Sequence, residues 1–152
     1  MLVTLLTSQL LIFPFNGTGT MGNADLTSWD VSSATYMGYM FQSSQFNGNI
    51  SNWDVSNVTN MAYMFQNTVF TGDLTNWDVS NVATSNHMFN GGSSNPDIAG
   101  WDMAAANNQY FWAWSNTAFN PSPFLIGHTV ANQNWKYMNN HSAWTTITGQ
   151  TF

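Results

Sequence analysis

Apolar and polar positions along this chain recur on a beat of 24 residues. Trp-Asp falls at Trp29-Asp30, Trp53-Asp54, Trp77-Asp78 and Trp101-Asp102, and Met-Phe at Met40-Phe41, Met64-Phe65 and Met88-Phe89. An aliphatic residue stands three places before each Trp, at Leu26, Ile50, Leu74 and Ile98. The blocks 46–69 and 70–93 agree at 11 of 24 positions. A fixed period of this length is the signature of a solenoid, in which each repeat forms one coil that packs on its neighbours.

Two shorter periods run inside each repeat. In Leu74-x-x-Trp77-x-Val79 the apolar residues at 77 and 79 flank Asp78, which is strand spacing. In Val58-x-x-Met61-x-x-Met64-Phe65 the spacing is three to four, which is helical, and Ser56 or Asn57 stands where an N-cap is wanted. The pattern therefore predicts an α/β repeat solenoid of about four 24-residue coils, each a short parallel strand, a turn, a short helix and a Gly/Asn-rich return. Its core columns are Leu26/Ile50/Leu74/Ile98, Trp29/Trp53/Trp77/Trp101 and Phe41/Phe65/Phe89, with each Asp of the Trp-Asp pairs facing out. Trp112, Trp114, Trp135 and Trp144 fall outside these columns and are the candidate exposed aromatics.

Three segments follow: an apolar N-terminal strand or cap at 1–21, the repeats at 22–120, and a C-terminal cap or docking segment at 121–152. Residues 1–15 have the apolar length of a signal peptide but no basic start and no small-x-small cleavage site. They read as structure, with a shortened signal sequence as the alternative. At about 15 residues the stretch is too short for a spanning helix, so no membrane span is expected.

Charge is the most unusual part of the composition. Seven Asp face a single Lys, Lys136, with no Glu, Arg or Cys, so charged residues make up 5% of the chain against roughly 25% in ordinary domains. A net charge of −6 leaves nothing to neutralise phosphates, which excludes nucleic acid as a partner. A surface of Asn, Ser, Thr and Gly is the habit of extracellular repeat proteins, and an extracellular or cell-surface location is expected.

The Asp residues form two columns, Asp30/Asp54/Asp78/Asp102 and Asp25/Asp73/Asp97, with Asn49 in the gap of the second. Stacked coils would set neighbours about 4.8 Å apart, and their repulsion has to be offset. One answer is local: each carboxylate accepts from the backbone N–H two residues on, in an Asx-turn. The other is Ca²⁺ bound by Asp30, Asp54, Asp78 and Asp102. Turn capping is the favoured reading, so no cofactor is expected. His87, His128 and His141 lack metal-ligand spacing, and no nucleophile elbow or phosphate loop is present, which argues against an enzyme. His87 takes the place of Tyr39 and Tyr63 in its column and reads as a half-exposed helical residue. Sequons at Asn16, Asn49, Asn57 and Asn140 are candidate glycosylation sites.

The string from Phe46 to Phe65, F-N-G-N-I-S-N-W-D-V-S-N-V-T-N-M-A-Y-M-F, and its echo from Phe70 to Val82 closely resemble the BspA-like leucine-rich-repeat surface proteins. The resemblance covers about residues 22–120. It implies a leucine-rich-repeat-like, right-handed solenoid at the cell surface, associated with adhesion and without enzymatic activity. In the fourth repeat Met103-Ala104-Ala105-Ala106 replaces V-S-N-V. Two functions are expected. One is a self-assembling surface filament or layer, built head to tail through Leu2, Leu5, Leu6, Leu10, Leu11, Ile12, Phe13 and Phe124, Leu125, Ile126. The other is an adhesion module whose repeat face binds a glycan or an extracellular protein.

Overall fold

The computed structural model describes residues 22–98 and 101. The expected caps at 1–21 and 121–152, with the fourth repeat beyond Trp101, lie outside these residues. Within them the chain lies in parallel coils, one above the next. Met37, Tyr39, Phe41 and Ser43 donate their amide N–H to the carbonyls of Asn60, Ala62, Met64 and Gln66 at 2.8–2.9 Å. Met61, Tyr63, Phe65 and Asn67 do the same to Thr84, Asn86, Met88 and Asn90. On the return segment the direction reverses. There Ser93, Asn95 and Asp97 donate back to Thr68, Phe70 and Gly72 at 2.9–3.1 Å.

The strand-plus-helix coil is overturned. Among the described residues there is no helix, and extended pairing is reduced to isolated parallel bridges such as Tyr36 with Asn60, Asn60 with Thr84 and Asp73 with Asp97. The apolar spacing of Val58, Met61, Met64 and Phe65 is met by successive tight turns instead. Met64 N–H reaches Met61 O at 3.2 Å and Gln66 N–H reaches Tyr63 O at 3.1 Å, each closing over three residues. Tyr63 and Asn67 take left-handed φ of 61° and 54°, which ends any right-handed run. The amides that a helix would aim four residues back go to the next coil. A spacing of three to four places apolar side chains on one side of a turn series as well as of a helix. Ser56 and Asn57 accordingly cap no helix.

The predicted strand at 74–79 is likewise opened by a turn, Trp77 N–H to Leu74 O at 3.0 Å. Its alternation survives: Trp77 and Val79 are buried and Asp78 is exposed. Strand-like alternation also holds through the return, where Ser44, Phe46, Gly48 and Ile50 point in and Gln45, Asn47 and Asn49 point out.

The expected columns form the core. Leu26, Ile50, Leu74 and Ile98, then Trp53, Trp77 and Trp101, then Phe41, Phe65 and Phe89 are all buried, while Trp29 is half buried against them. Rings follow the coil step: Trp53 to Trp77 at 6.4 Å, Trp77 to Trp101 at 6.2 Å, Phe65 to Phe89 at 5.6 Å. Phe46 and Phe70 nest beside Phe41 and Phe65, with centroids at 4.3 and 4.7 Å. Each buried ring contributes roughly 2–3 kcal/mol. The indole N–H groups of the three fully buried tryptophans among the described residues are also satisfied, by the carbonyl of the aliphatic residue one coil back: Trp53 to Leu26, Trp77 to Ile50, Trp101 to Leu74, at 2.8–3.0 Å. The aliphatic-x-x-Trp spacing thus supplies both core and register.

Gly48 marks a close approach of two backbones, since a Cβ there would lie 2.2 Å from the Ala24 carbonyl oxygen. Two substitutions test this packing. Trp77→Phe removes the indole donor from the Ile50 carbonyl, which keeps the Trp53 amide, and shrinks a buried ring, so it is expected to lower stability by about 2 kcal/mol. Gly48→Ala is expected to destabilise by a similar or larger amount, because the obstacle is backbone. Urea midpoints that match the unsubstituted chain in both variants would contradict the packing.

Candidate functional site

Two outward-facing features could carry function: the carboxylate columns and a row of aromatic rings. Asp25, Asp30, Asp54, Asp73 and Asp78 are all exposed, and each closes an Asx-turn. Asp54 Oδ1 accepts from Ser56 N–H at 3.1 Å and from its hydroxyl at 2.7 Å. Asp30 does so with Ser32, and Asp25 and Asp73 with Thr27 and Thr75. Asp78 accepts from Ser80 N–H. Asn49, which fills the gap in the second column, accepts from Ser51 N–H at 3.0 Å and makes the same turn without charge.

These bonds hold the carboxyls of Asp25, Asp30, Asp73 and Asp78 below the usual range. The hydroxyls of Thr27, Ser32 and Ser80 act most strongly on Asp25, Asp30 and Asp78, followed by the amides of the same residues. For Asp73 the Thr75 amide leads. Local donors to the charged form are the offset that the columns need. Among the described residues no group of three or more His or Asp side chains is placed to hold a metal ion. Asp102, the fourth member of the Ca²⁺ candidate set, lies outside the described residues.

The aromatic row was not legible as a site. Tyr39, Tyr63 and His87 are half buried and stack on one another at 4.7 and 4.8 Å, nearly parallel. All three adopt left-handed backbone, with φ of 65°, 61° and 57°, a region that bulky residues rarely occupy. His87 therefore sits in a turn and not in the predicted helix, although it is half exposed as expected. Burial lowers its pKa, and Asn90 Nδ2 lies 3.3 Å from its Nδ1. Beside the rings runs a row of amides, in which Gln42 Nε2 donates to Gln66 Oε1. Asn90 is the next member, one methylene shorter, and its buried Oδ1 has no partner.

Of the sequons, Asn49 and Asn57 are exposed, and the Asn57 amide nitrogen donates to Ser32 O at 2.9 Å. Asn16 and Asn140 lie outside the described residues, as do His128, His141 and the assembly residues Leu2, Leu5, Leu6, Leu10, Leu11, Ile12, Phe13, Phe124, Leu125 and Ile126. No helix among the described residues is long and apolar enough to cross a membrane.

Two measurements follow from this geometry. A depressed carboxyl pKa stabilises the fold above the unfolded value of about 3.9 and is lost as pH falls through the folded value. His87, also depressed, opposes folding once protonated. The urea midpoint is therefore expected to fall as pH drops below about 6.5 and to fall again below about 3.9. Asp30→Asn combined with Asp78→Asn should make the second fall shallower, and a midpoint that rises on acidification would refute the assignment. Asn90→Gln, which extends the amide row, is expected to raise stability by about 1 kcal/mol, read from the same titration at pH 7.

A family described as "Mycoplasma protein of unknown function, DUF285" has a model that matches residues 11–124. The family is related to the BspA-like repeat proteins. No curated protein and no solved structure matches the chain.

Proposed function

The chain belongs to the DUF285 family of Mycoplasma proteins, and on that footing we propose that it is a non-enzymatic structural protein of the cell surface or extracellular space, one subunit of a filament or layer assembled head to tail. Its finer placement among the BspA-like repeat proteins is part of the same reading. The observation that carries it is the polarity of the coil-to-coil contact. Amides 37, 39, 41 and 43 donate forward to one coil exactly as amides 61, 63, 65 and 67 donate to the next. Each side of a coil therefore carries donors along one segment and acceptors along the return, in the same order in every coil, so a coil from a second copy meets the groups it already pairs with in its own chain. Such a contact is heterologous and propagates.

Residues 1–15 and the 124–126 segment are the proposed junction, because they are apolar and carry no charge. Adhesion to a glycan or an extracellular protein is the second reading, favoured by the half-buried Tyr39, Tyr63 and His87 row. Negative-stain microscopy of the full chain separates the two. The full chain should form polymers, and deletion of residues 1–13 should abolish them while the far-ultraviolet spectrum is kept. A monodisperse monomer at high concentration, or normal polymers after the deletion, would sink the assembly reading.

A further inference from the structure

The tyrosine row carries strain that the core does not need. Left-handed backbone costs a bulky residue about 1–2 kcal/mol. Four residues on, where the backbone is left-handed again, the chain uses the small residues Ser43, Asn67 and Gly91. At 39, 63 and 87 it keeps a ring in each coil instead. Ring stacking returns only about 0.5–1.5 kcal/mol per pair, and the Tyr39 and Tyr63 rings remain half exposed, with no hydrogen bond from either hydroxyl to a described residue.

Charge says what this face can meet. The described residues hold six Asp, at 25, 30, 54, 73, 78 and 97, and no Lys or Arg. Two copies approaching through those columns would repel. The segments 35–44, 59–68 and 83–92 contain no Asp, Lys or Arg, and they carry the ring row and the amide row together. This is the face on which two acidic copies can touch without facing carboxylates. Period says the rest. A partner must offer complementary groups at the 4.7–4.8 Å step of the rings, and a second copy of the same row does so over every coil.

We propose that the strip formed by Tyr39, Tyr63 and His87 with Gln42 and Gln66 is a side-by-side interface between two copies of this chain. The pairing is two-fold, so that the tyrosine hydroxyls of one copy meet the amides of the other and the reverse. Tyrosine suits such a contact, with an apolar body and a polar tip. The inference rests on the assembly reading above and adds the lateral contact that would thicken a filament.

Gln66→Glu tests it without disturbing a ring, since the carboxylate keeps the oxygen that accepts from Gln42 Nε2. It places one negative charge per copy at the contact. Tyr39→Asn with Tyr63→Asn is the second variant, because Asn tolerates left-handed backbone and should fold. Sedimentation velocity reads dimers, and microscopy reads filament width. The unsubstituted chain is expected to pair, and Gln66→Glu to weaken pairing at least tenfold at low salt with partial recovery at 0.5 M sodium chloride. The double variant should leave single, unpaired filaments. Pairs without polymers would overturn the head-to-tail reading and leave the strip standing. Polymers that never pair, variants that pair like the unsubstituted chain, or a monomer that loses binding to a neutral polysaccharide when the strip is altered would overturn the inference.

Discussion

Among the described residues each buried tryptophan donates its indole N–H to a carbonyl 27 residues earlier, and the rest of the coil stack depends on that bond. Trp53, Trp77 and Trp101 reach Leu26, Ile50 and Leu74 at 2.8–3.0 Å in a site closed to water. A slip of one residue would leave each of these buried indole N–H groups unmade, at about 1–3 kcal/mol apiece, while the carbonyls would keep their turn amides. Three such bonds therefore fix the register. Once it is fixed, rings fall over rings and the forward and backward amide ladders can both close. The columns of identical side chains are a consequence of that register as much as a cause of it.

The same constraint explains why regular secondary structure is scarce. A coil of 24 residues must turn several times and still offer amides to its neighbours. A helix would direct Phe65 N–H to Met61, whereas here it goes to Met88 at 2.9 Å. Asx-turns then hold the corners, with Asp54 and Asn49 bonding Ser56 and Ser51 in the same way. That shared geometry accounts for a neutral Asn in an otherwise acidic column.

The core columns and the corner turns were legible in the sequence, because burial and Asx capping each depend on residue type at a fixed spacing. Leu26, Ile50 and Leu74 and the Trp-Asp alternation were placed on the correct faces for this reason. The conformation between them was not. The spacing of Val58, Met61 and Met64 fits a helix and a run of tight turns equally well, and what decides between them is the neighbouring coil. The left-handed backbone at Tyr39, Tyr63 and His87 was invisible because no Gly or Asn announces it there. Asn67 and Gly91, four residues further on, were the nearest available signal. The amide row was missed for a related reason, since Gln42 and Gln66 bond only once the coils are stacked.

The coil stack requires that backbone amides bond across coils. Scalar coupling through hydrogen bonds, measured by nuclear magnetic resonance on isotope-labelled protein, reads the acceptor of each amide directly. Phe65 N should couple to the Met88 carbonyl carbon and Tyr63 N to that of Asn86, the acceptors seen at 2.9 Å. Coupling of Phe65 N to the carbonyl of Met61 would mean a helix and would contradict the stack of turns.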